Sequence, residues 1–532
     1  MSSKKKQKFC VISAGVFALI FVLLIFSPKN VVPTNTEWVI NGGGDNLQHY
    51  LGWRFFRNSP WTRYLLFMKN LDAPVGTSVI VTDSNPMCCL IFKLFRNLLP
   101  ESFQFNGIWI LSSYLLLACI TAVISWQLTQ DIILTLSGTI IALFNPVVLQ
   151  RSLIHENLTA HWLILTAVLL FLNEEKTWNI LGWLLLTEIT LLVHIYFVPM
   201  IAFVFCLQII RMLVKRVSMY KIARLCFVFI AALIAGYFVF GYSFIQSQSG
   251  SYGELSMNLN AFINPDGVSS LLPSREILPL QYEGFNYPGI GMLLLCAAGL
   301  VLGGRDEIKK IIPYIIPTIL LILLAVSNDA YFDSRLVYHF DLPDRLHSML
   351  SVFRSSGRLV WPVYYLVLFS ALFFFSRSSL SKKYICMLAV ICALLQAADL
   401  HDYWLSAAER FRDPSNIIAD IPAELDDLIP ENNKYLYVSD GDSKTIDALA
   451  LYAADRHLSY NHMANARAIK PVFGGDKIDM KKLDCNMILQ DSVYLYLSKE
   501  DIPDALAGCR NLIYRDINEW RIFIPDDGAT VR

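Results

Sequence analysis

The chain has 532 residues, 55% hydrophobic and only 17% charged, where an ordinary soluble domain carries roughly 25% charge. Its 44 Lys and Arg balance 44 Asp and Glu, which argues against a nucleic-acid binder, and its long apolar runs argue against a disordered chain or a soluble multidomain enzyme. The balance conceals two opposite parts: residues 401–532 hold 15 Lys/Arg and 23 Asp/Glu, a net of −8, so the first 400 carry +8.

A bilayer-crossing helix needs about 20 mostly apolar residues. Eleven runs answer to that pattern: 9–26, 106–126, 132–149, 159–172, 178–194, 197–211, 225–243, 287–303, 311–326, 359–376 and 384–399. The expected fold is mainly α, a polytopic transmembrane helical bundle of about eleven spans with a C-terminal α/β domain. The first run follows Lys4, Lys5, Lys6 and Lys8 and lacks a small-residue cleavage site, so it reads as a retained anchor. With the N-terminus inside, the inner segments collect sixteen Lys/Arg, while the short outer turn 150–158 has only Arg151. The chain then divides into an N-terminal anchor (1–26), a first outer loop (27–105), the bundle (106–399) and an extracytoplasmic domain (400–532). In that last part, strand-like runs at 434–439, 492–497 and 521–525 surround a polar turn at 440–444 and a helix-like stretch at 445–455.

Eleven cysteines are thinly spread. Cys485 and Cys509 are the two in the tail, and an oxidising compartment would allow them to pair or leave them free. Cys88 and Cys89 are adjacent with no second pair at zinc spacing, so no metal site is expected there. No phosphate-binding glycine motif is present, because Gly42-Gly43-Gly44 is not followed by Lys-Ser/Thr.

The first outer loop has the densest chemistry. After the three glycines comes Asp45, then His49, Arg54 and Arg57 along an amphipathic run. Asp45 reads either as the cap of that helix or as a carboxylate base, with Arg54 or Arg57 near an anionic headgroup. Asp83, in Thr82-Asp83-Ser84-Asn85-Pro86, is either a second acid or a turn residue ahead of Pro. The apolar, Lys/Arg-dotted segment 87–99 has the character of an interfacial helix. Further along, His155, Glu156 and His161 open one span, and the six-residue separation of the two histidines is not that of a helical metal pair. Glu283 precedes the next outer mouth. Arg354 and Arg358 open the tenth span, where two guanidiniums suit a phosphate or diphosphate; the alternative is snorkelling or pairing with Glu283 or Asp83.

The segments GDNLQHYLGWRFFRNSPW, TDSNP, FQFNGIW, RSLIHENLTAHW, VHIYFVPM, QYEGFNYPGIG and FRSSGRLVWP, in this order, resemble an uncharacterised bacterial family of polytopic membrane proteins. That family is itself similar to the GT-C superfamily of glycosyltransferases. The resemblance implies a bacterial inner-membrane transferase taking a sugar from a polyprenyl-phosphate donor to an envelope glycan or glycolipid on the outer face. Asp45 then corresponds to the loop acid that serves as base or positions the acceptor, with Asp83 the next candidate. His49, Arg54, Arg57, His155, Glu156, His161, Glu283, Arg354 and Arg358 are the substrate-binding candidates. Many GT-C members carry paired acids where this loop has one, so the resemblance specifies no metal; no nucleotide or redox cofactor is expected. The alternative is a lipid or polysaccharide translocase, or an envelope assembly protein, without catalysis.

Overall fold

The computed structural model describes residues 2–42, 45–246, 252–414, 418–463 and 467–526. Gly43 and Gly44 of the triple glycine lie outside them. The chain is mainly helical with a C-terminal sheet, and it forms two compact units. The first comprises Met1–Thr36, Ser102–Tyr237 and Ser247–Asp413; the second comprises Glu37–Glu101, Phe238–Gln246 and Pro414–Arg532.

All eleven apolar runs are helical, but eleven spans are not supported. Among the described residues, six helices are long and apolar enough to cross a membrane: Ser3–Ile25, Asn106–Thr129, Ile132–Ile154, Phe197–Val214, Met219–Val239 and Ser356–Arg377. A bent pair, Lys382–Asp399 and His401–Arg412, turning by 51°, would make a seventh. Glu156–Leu172, Asn179–Val193, Ile290–Leu302 and Ile312–Val326 are shorter. The physical reason is rise per residue: at 1.5 Å each, the 13 residues of Ile290–Leu302 reach only about 20 Å of a hydrocarbon core about 30 Å thick. Apolar composition continued past their ends, whereas helical geometry stops at His194 after Asn179–Val193 and begins only after Gly289, whose φ is 90°, before Ile290–Leu302.

Within the first unit, Ser3–Ile25 packs on Asn106–Thr129 and Ile132–Leu143, and the Ile290–Leu302 helix lies against both Trp361–Arg377 and Lys382–Asp399. Gly291 permits that last approach, because a Cβ there would stand 2.1 Å from the Cys392 carbonyl oxygen. Asp399, fully buried at the bend, accepts from Tyr287 Oη at 2.8 Å and from the Ile290 amide at 2.9 Å. It therefore ties the loop before Ile290 to the C-terminal end of the Lys382–Asp399 helix.

In the second unit a five-stranded sheet runs in the order Ser459–Tyr460, Tyr435–Val438, Ser492–Tyr496, Trp520–Pro525, Leu512–Ile517. The first three strands pair in parallel and the last three antiparallel. The parallel step between the 435 and 459 strands is made by the Ser443–Asp455 helix, as parallel pairing requires a crossover. Asp442 starts that helix by accepting the Thr445 amide at 3.1 Å. Tyr437, Tyr494, Tyr496, Phe523, Met480, Leu483 and Leu506 form the core on one face. Cys485 and Cys509 are disulfide-bonded with Cα atoms 5.5 Å apart, an ordinary separation for such a bond.

Candidate functional site

The most concentrated buried charge in the helical unit is a cluster of one carboxylate and two guanidiniums. Arg151 sits in the Pro146–Ile154 helix, Glu283 in the 3₁₀ turn Pro279–Gly284, and Arg358 in the 3₁₀ turn Ser356–Val360. Glu283 Oε2 lies 2.9 Å from Arg151 and 2.7 Å from both Nε and a terminal nitrogen of Arg358. Arg151 also donates to the Glu283 carbonyl at 3.4 Å. All three side chains are buried, Arg151 completely. Burial pushes the Glu283 carboxyl up, but Arg358 and then Arg151 outweigh it and hold the group well below the usual carboxylate range. One anion facing two cations leaves the cluster with one positive charge.

Backbone packing brings the cluster together. A Cβ on Gly357 would stand 2.5 Å from Gly284 Cα, and one on Gly284 2.2 Å from the Ser256 carbonyl oxygen. Glycine thus follows Glu283 and precedes Arg358 because the two segments touch there. Asn286 locks them by donating to the Gly284 and Gly357 carbonyls, each at 2.9 Å.

Aromatic and imidazole groups complete the surroundings. Arg358 lies over the Tyr196 ring at 5.0 Å and Arg151 over Trp361 at 5.7 Å, both cation–π contacts. Tyr196 Oη accepts the Ser355 amide at 2.9 Å. His155 and His194 meet edge to face, 5.2 Å between centroids. His161 stacks on Trp361 at 4.6 Å and shares a 2.9 Å hydrogen bond with Tyr365 Oη. Glu156 is buried, and its carboxylate accepts from Asn106. Next to Trp361 lies an apolar cavity of about 240 Å³ whose polar wall is Asn145, His161 and Asn286.

Several expected residues fall together here: His155, His161, Glu283 and Arg358. Arg354 does not. The predicted Arg354/Arg358 pair assumed an α-helical face, but the chain breaks at Ser355 into a 3₁₀ turn. Arg358 turns in to Glu283, while Arg354 is exposed with no ion pair among the described residues. Arg151, Tyr196, His194 and Trp361 were not among the site candidates. The available signal was Arg151 itself, a lone cation closing an apolar run, which demands a buried carboxylate such as Glu283.

The second unit holds the loop acids. Asp45 directly precedes the Asn46–Asn58 helix, its side chain makes no capping bond, and its carbonyl accepts the His49 amide at 3.0 Å. The Asp45 carboxylate is exposed, the His49 ring is buried, and their ligand-capable atoms lie within 4.8 Å of each other, so the pair can supply two donors to a cation. The turn carrying Asp83 packs against the same helix at Gly52, where a Cβ would meet Ser84 Oγ at 2.1 Å. Asp83 itself has φ +53°, a sparsely populated conformation for a residue with a side chain. The cap of the following helix is Asn85, which accepts the Cys88 amide at 3.2 Å.

Arg54 and Arg57 are buried clamps. Arg54 donates to Tyr50 Oη at 3.1 Å, Glu101 at 3.2 Å and Asp455 at 2.8 Å. Arg57 donates to four carbonyls, those of Arg96, Leu99, Pro100 and Glu101. The terminal nitrogens of both guanidiniums hold the loop together, while Arg54 Nε has no acceptor among the described residues. Segment 87–99 keeps an amphipathic character, with Ile91, Leu94, Phe95 and Leu98 exposed along one stripe.

Apolar helices of membrane-spanning length, a buried ion cluster of one carboxylate and two guanidiniums, and an apolar cavity beside Trp361 define a mainly helical protein of a kind compatible with a membrane. Residues 15–401 match the family described as a domain of unknown function, DUF6311, and the chain belongs to that family. The matched stretch contains the ion cluster and both loop acids. No curated protein matches the chain.

Proposed function

We propose that the chain is an integral membrane glycosyltransferase of the bacterial inner membrane, moving a sugar from a polyprenyl-phosphate donor to a cell-envelope glycan or glycolipid on the outer face. The observation carrying this reading is the net-positive Arg151–Glu283–Arg358 cluster beside an apolar cavity with a polar wall. An amphiphile with an anionic head and a hydrocarbon tail needs that combination of groups. In such a transfer the acceptor hydroxyl oxygen bonds to the anomeric carbon as the bond to the phosphate oxygen breaks. The hydroxyl proton goes to a carboxylate and polyprenyl phosphate departs with the electron pair. Fixed guanidiniums stabilise the charge developing on phosphate without reorganising. By resemblance the carboxylate is Asp45, or Asp83 in its place. The basic short loops support an inside N-terminus, and the Cys485–Cys509 bond suits an extracytoplasmic tail.

The test replaces each acid singly, Asp45→Asn and Asp83→Asn, and measures envelope-glycan mass and protein abundance together. Loss of one sugar mass at normal abundance is expected for the base. Unchanged glycan with normal abundance in both variants sinks the assignment.

A second reading, a lipid or polysaccharide translocase, draws support from the four short apolar helices and the 51° bend, since broken helices often line transport sites. Deletion separates the two. A transferase leaves glycan short of a sugar; a translocase leaves complete glycan stranded on the inner face.

A further inference from the structure

The cavity beside Trp361 continues into a second one of about 380 Å³ in the same unit. The two share Cys296, Val363 and Val367, and the second ends at Phe171, Tyr314 and Phe374. The groove follows the Trp361–Arg377 helix from Trp361 to Phe374, about 20 Å at 1.5 Å per residue. That exceeds one leaflet's share, about 15 Å, of the hydrocarbon core. Its walls are almost wholly apolar; Thr318 turns its hydroxyl back to the Tyr314 carbonyl at 2.7 Å. The flanking Ile312–Val326 helix exposes Ile315, Ile316, Ile319 and Leu323, so the groove opens on an apolar surface.

The end away from Arg358 is ringed by cations. Arg211 lies 5.0 Å over Phe171, while Lys310 and Arg377 each lie 5.6 Å from the Phe373 ring, beside Phe374. The anions facing them are Glu174, shared by Arg211 and Lys215, then Glu175 on Lys215 and Glu307 on Lys310. Lys310 is exposed and its partner Glu307 half-buried, and an ion pair with one end in water exchanges partners at little cost. Arg377 is exposed and has no ion pair among the described residues. An apolar trough of tail length thus ends at an uncompensated guanidinium and an exchangeable ammonium.

We propose that the second cavity, between Cys296 and Phe374, holds an acyl chain of an anionic phospholipid, with the phosphate of its headgroup on Arg377 and Lys310, and leaves the cavity beside Trp361 to the donor lipid. Basic pockets between helices at a membrane's inner face recognise such headgroups. The neutral headgroup of phosphatidylcholine offers those cations no net charge, and free phosphate has nothing to fill the trough. The site does not depend on sugar transfer.

The experiment uses the full chain purified in neutral detergent, with dioleoylphosphatidylglycerol or dioleoylphosphatidylcholine added. It reads the thermal midpoint and the lipid retained after gel filtration. Phosphatidylglycerol is expected to raise the midpoint and stay bound. Lys310→Gln with Arg377→Gln should weaken its retention about thirtyfold. Thr318→Phe, which fills the trough and leaves both cations, should lower retention likewise. Lys221→Gln with Arg224→Gln, the same charge loss on the Met219–Val239 helix, should retain it. Equal effects of phosphatidylcholine or of inorganic phosphate would overturn the proposal. So would full retention by the Thr318 variant, or equal loss in the Lys221/Arg224 control.

Discussion

Lys93 is 1% exposed, and its ammonium has no hydrogen-bond acceptor among the described residues. It points at the Phe56 ring, 3.7 Å from the centroid, and at Trp61, 4.7 Å away. Burial and then the Arg96 charge pull it down to about 7, against a slight opposing pull from Cys89. Between pH 7 and about 10.5 the folded chain has released a proton that the unfolded chain keeps, so stability rises with pH across that window. Lys93→Met should therefore stabilise the protein by about 1–3 kcal/mol at pH 7 and below. The gain should shrink toward pH 10.5. Thermal midpoints of both proteins at pH 6, 8 and 10 check this, and a difference independent of pH would refute it. Residue identity alone pointed to Glu283 and Arg358, because isolated charges at helix mouths must be paired or functional. The pairing of Glu283 with Arg151 was not legible, since the two lie 132 residues apart in sequence, and the 283 and 358 segments meet through backbone packing at Gly284, Gly357 and Asn286.

At the scale of elements, apolar composition located helices well and their lengths poorly. A hydropathy run counts residues; a helix is bounded where φ, proline or a polar contact interrupts it, as at His194 and Gly289. The tail was more legible. Its strands at Tyr435–Val438, Ser492–Tyr496 and Trp520–Pro525 coincide with the expected runs, because alternating and β-branched patterns over four to six residues are short enough to survive local context. The Leu512–Ile517 strand was missed: Arg515 and Asp516 dilute its pattern on an exposed edge, where sequence need not be apolar. The Cys485–Cys509 bond closes a 24-residue separation within this tail, and removing it should cost about 3 kcal/mol. Replacing both cysteines by serine should lower the denaturation midpoint of the tail's sheet. Eleven free thiols rather than nine, titrated in the denatured but unreduced protein, would contradict the bond.

At the scale of the whole molecule, the first loop and the tail belong to one unit although most of the helical unit, Ser102–Tyr237 and Ser247–Asp413, separates them in sequence. Tyr460 receives the Ala73 amide on its carbonyl and donates its own amide to Asn70, each at 2.9 Å. Arg54 closes on Asp455, and Phe55 stacks on Tyr460. Truncation after Asp413 should therefore leave residues 37–101 open to limited proteolysis while the helical unit stays resistant. Equal resistance of the loop in truncated and full-length protein would show that it folds unaided. The same arrangement sets an order for biosynthesis. At about 5–20 residues per second, the loop leaves the ribosome tens of seconds before the segment that completes it. Throughout that interval Leu71 and Phe55, buried in the finished unit, lack their partners. The cell must shield a half-made domain until the last strand arrives, so a stalled or prematurely terminated chain becomes a substrate for quality control.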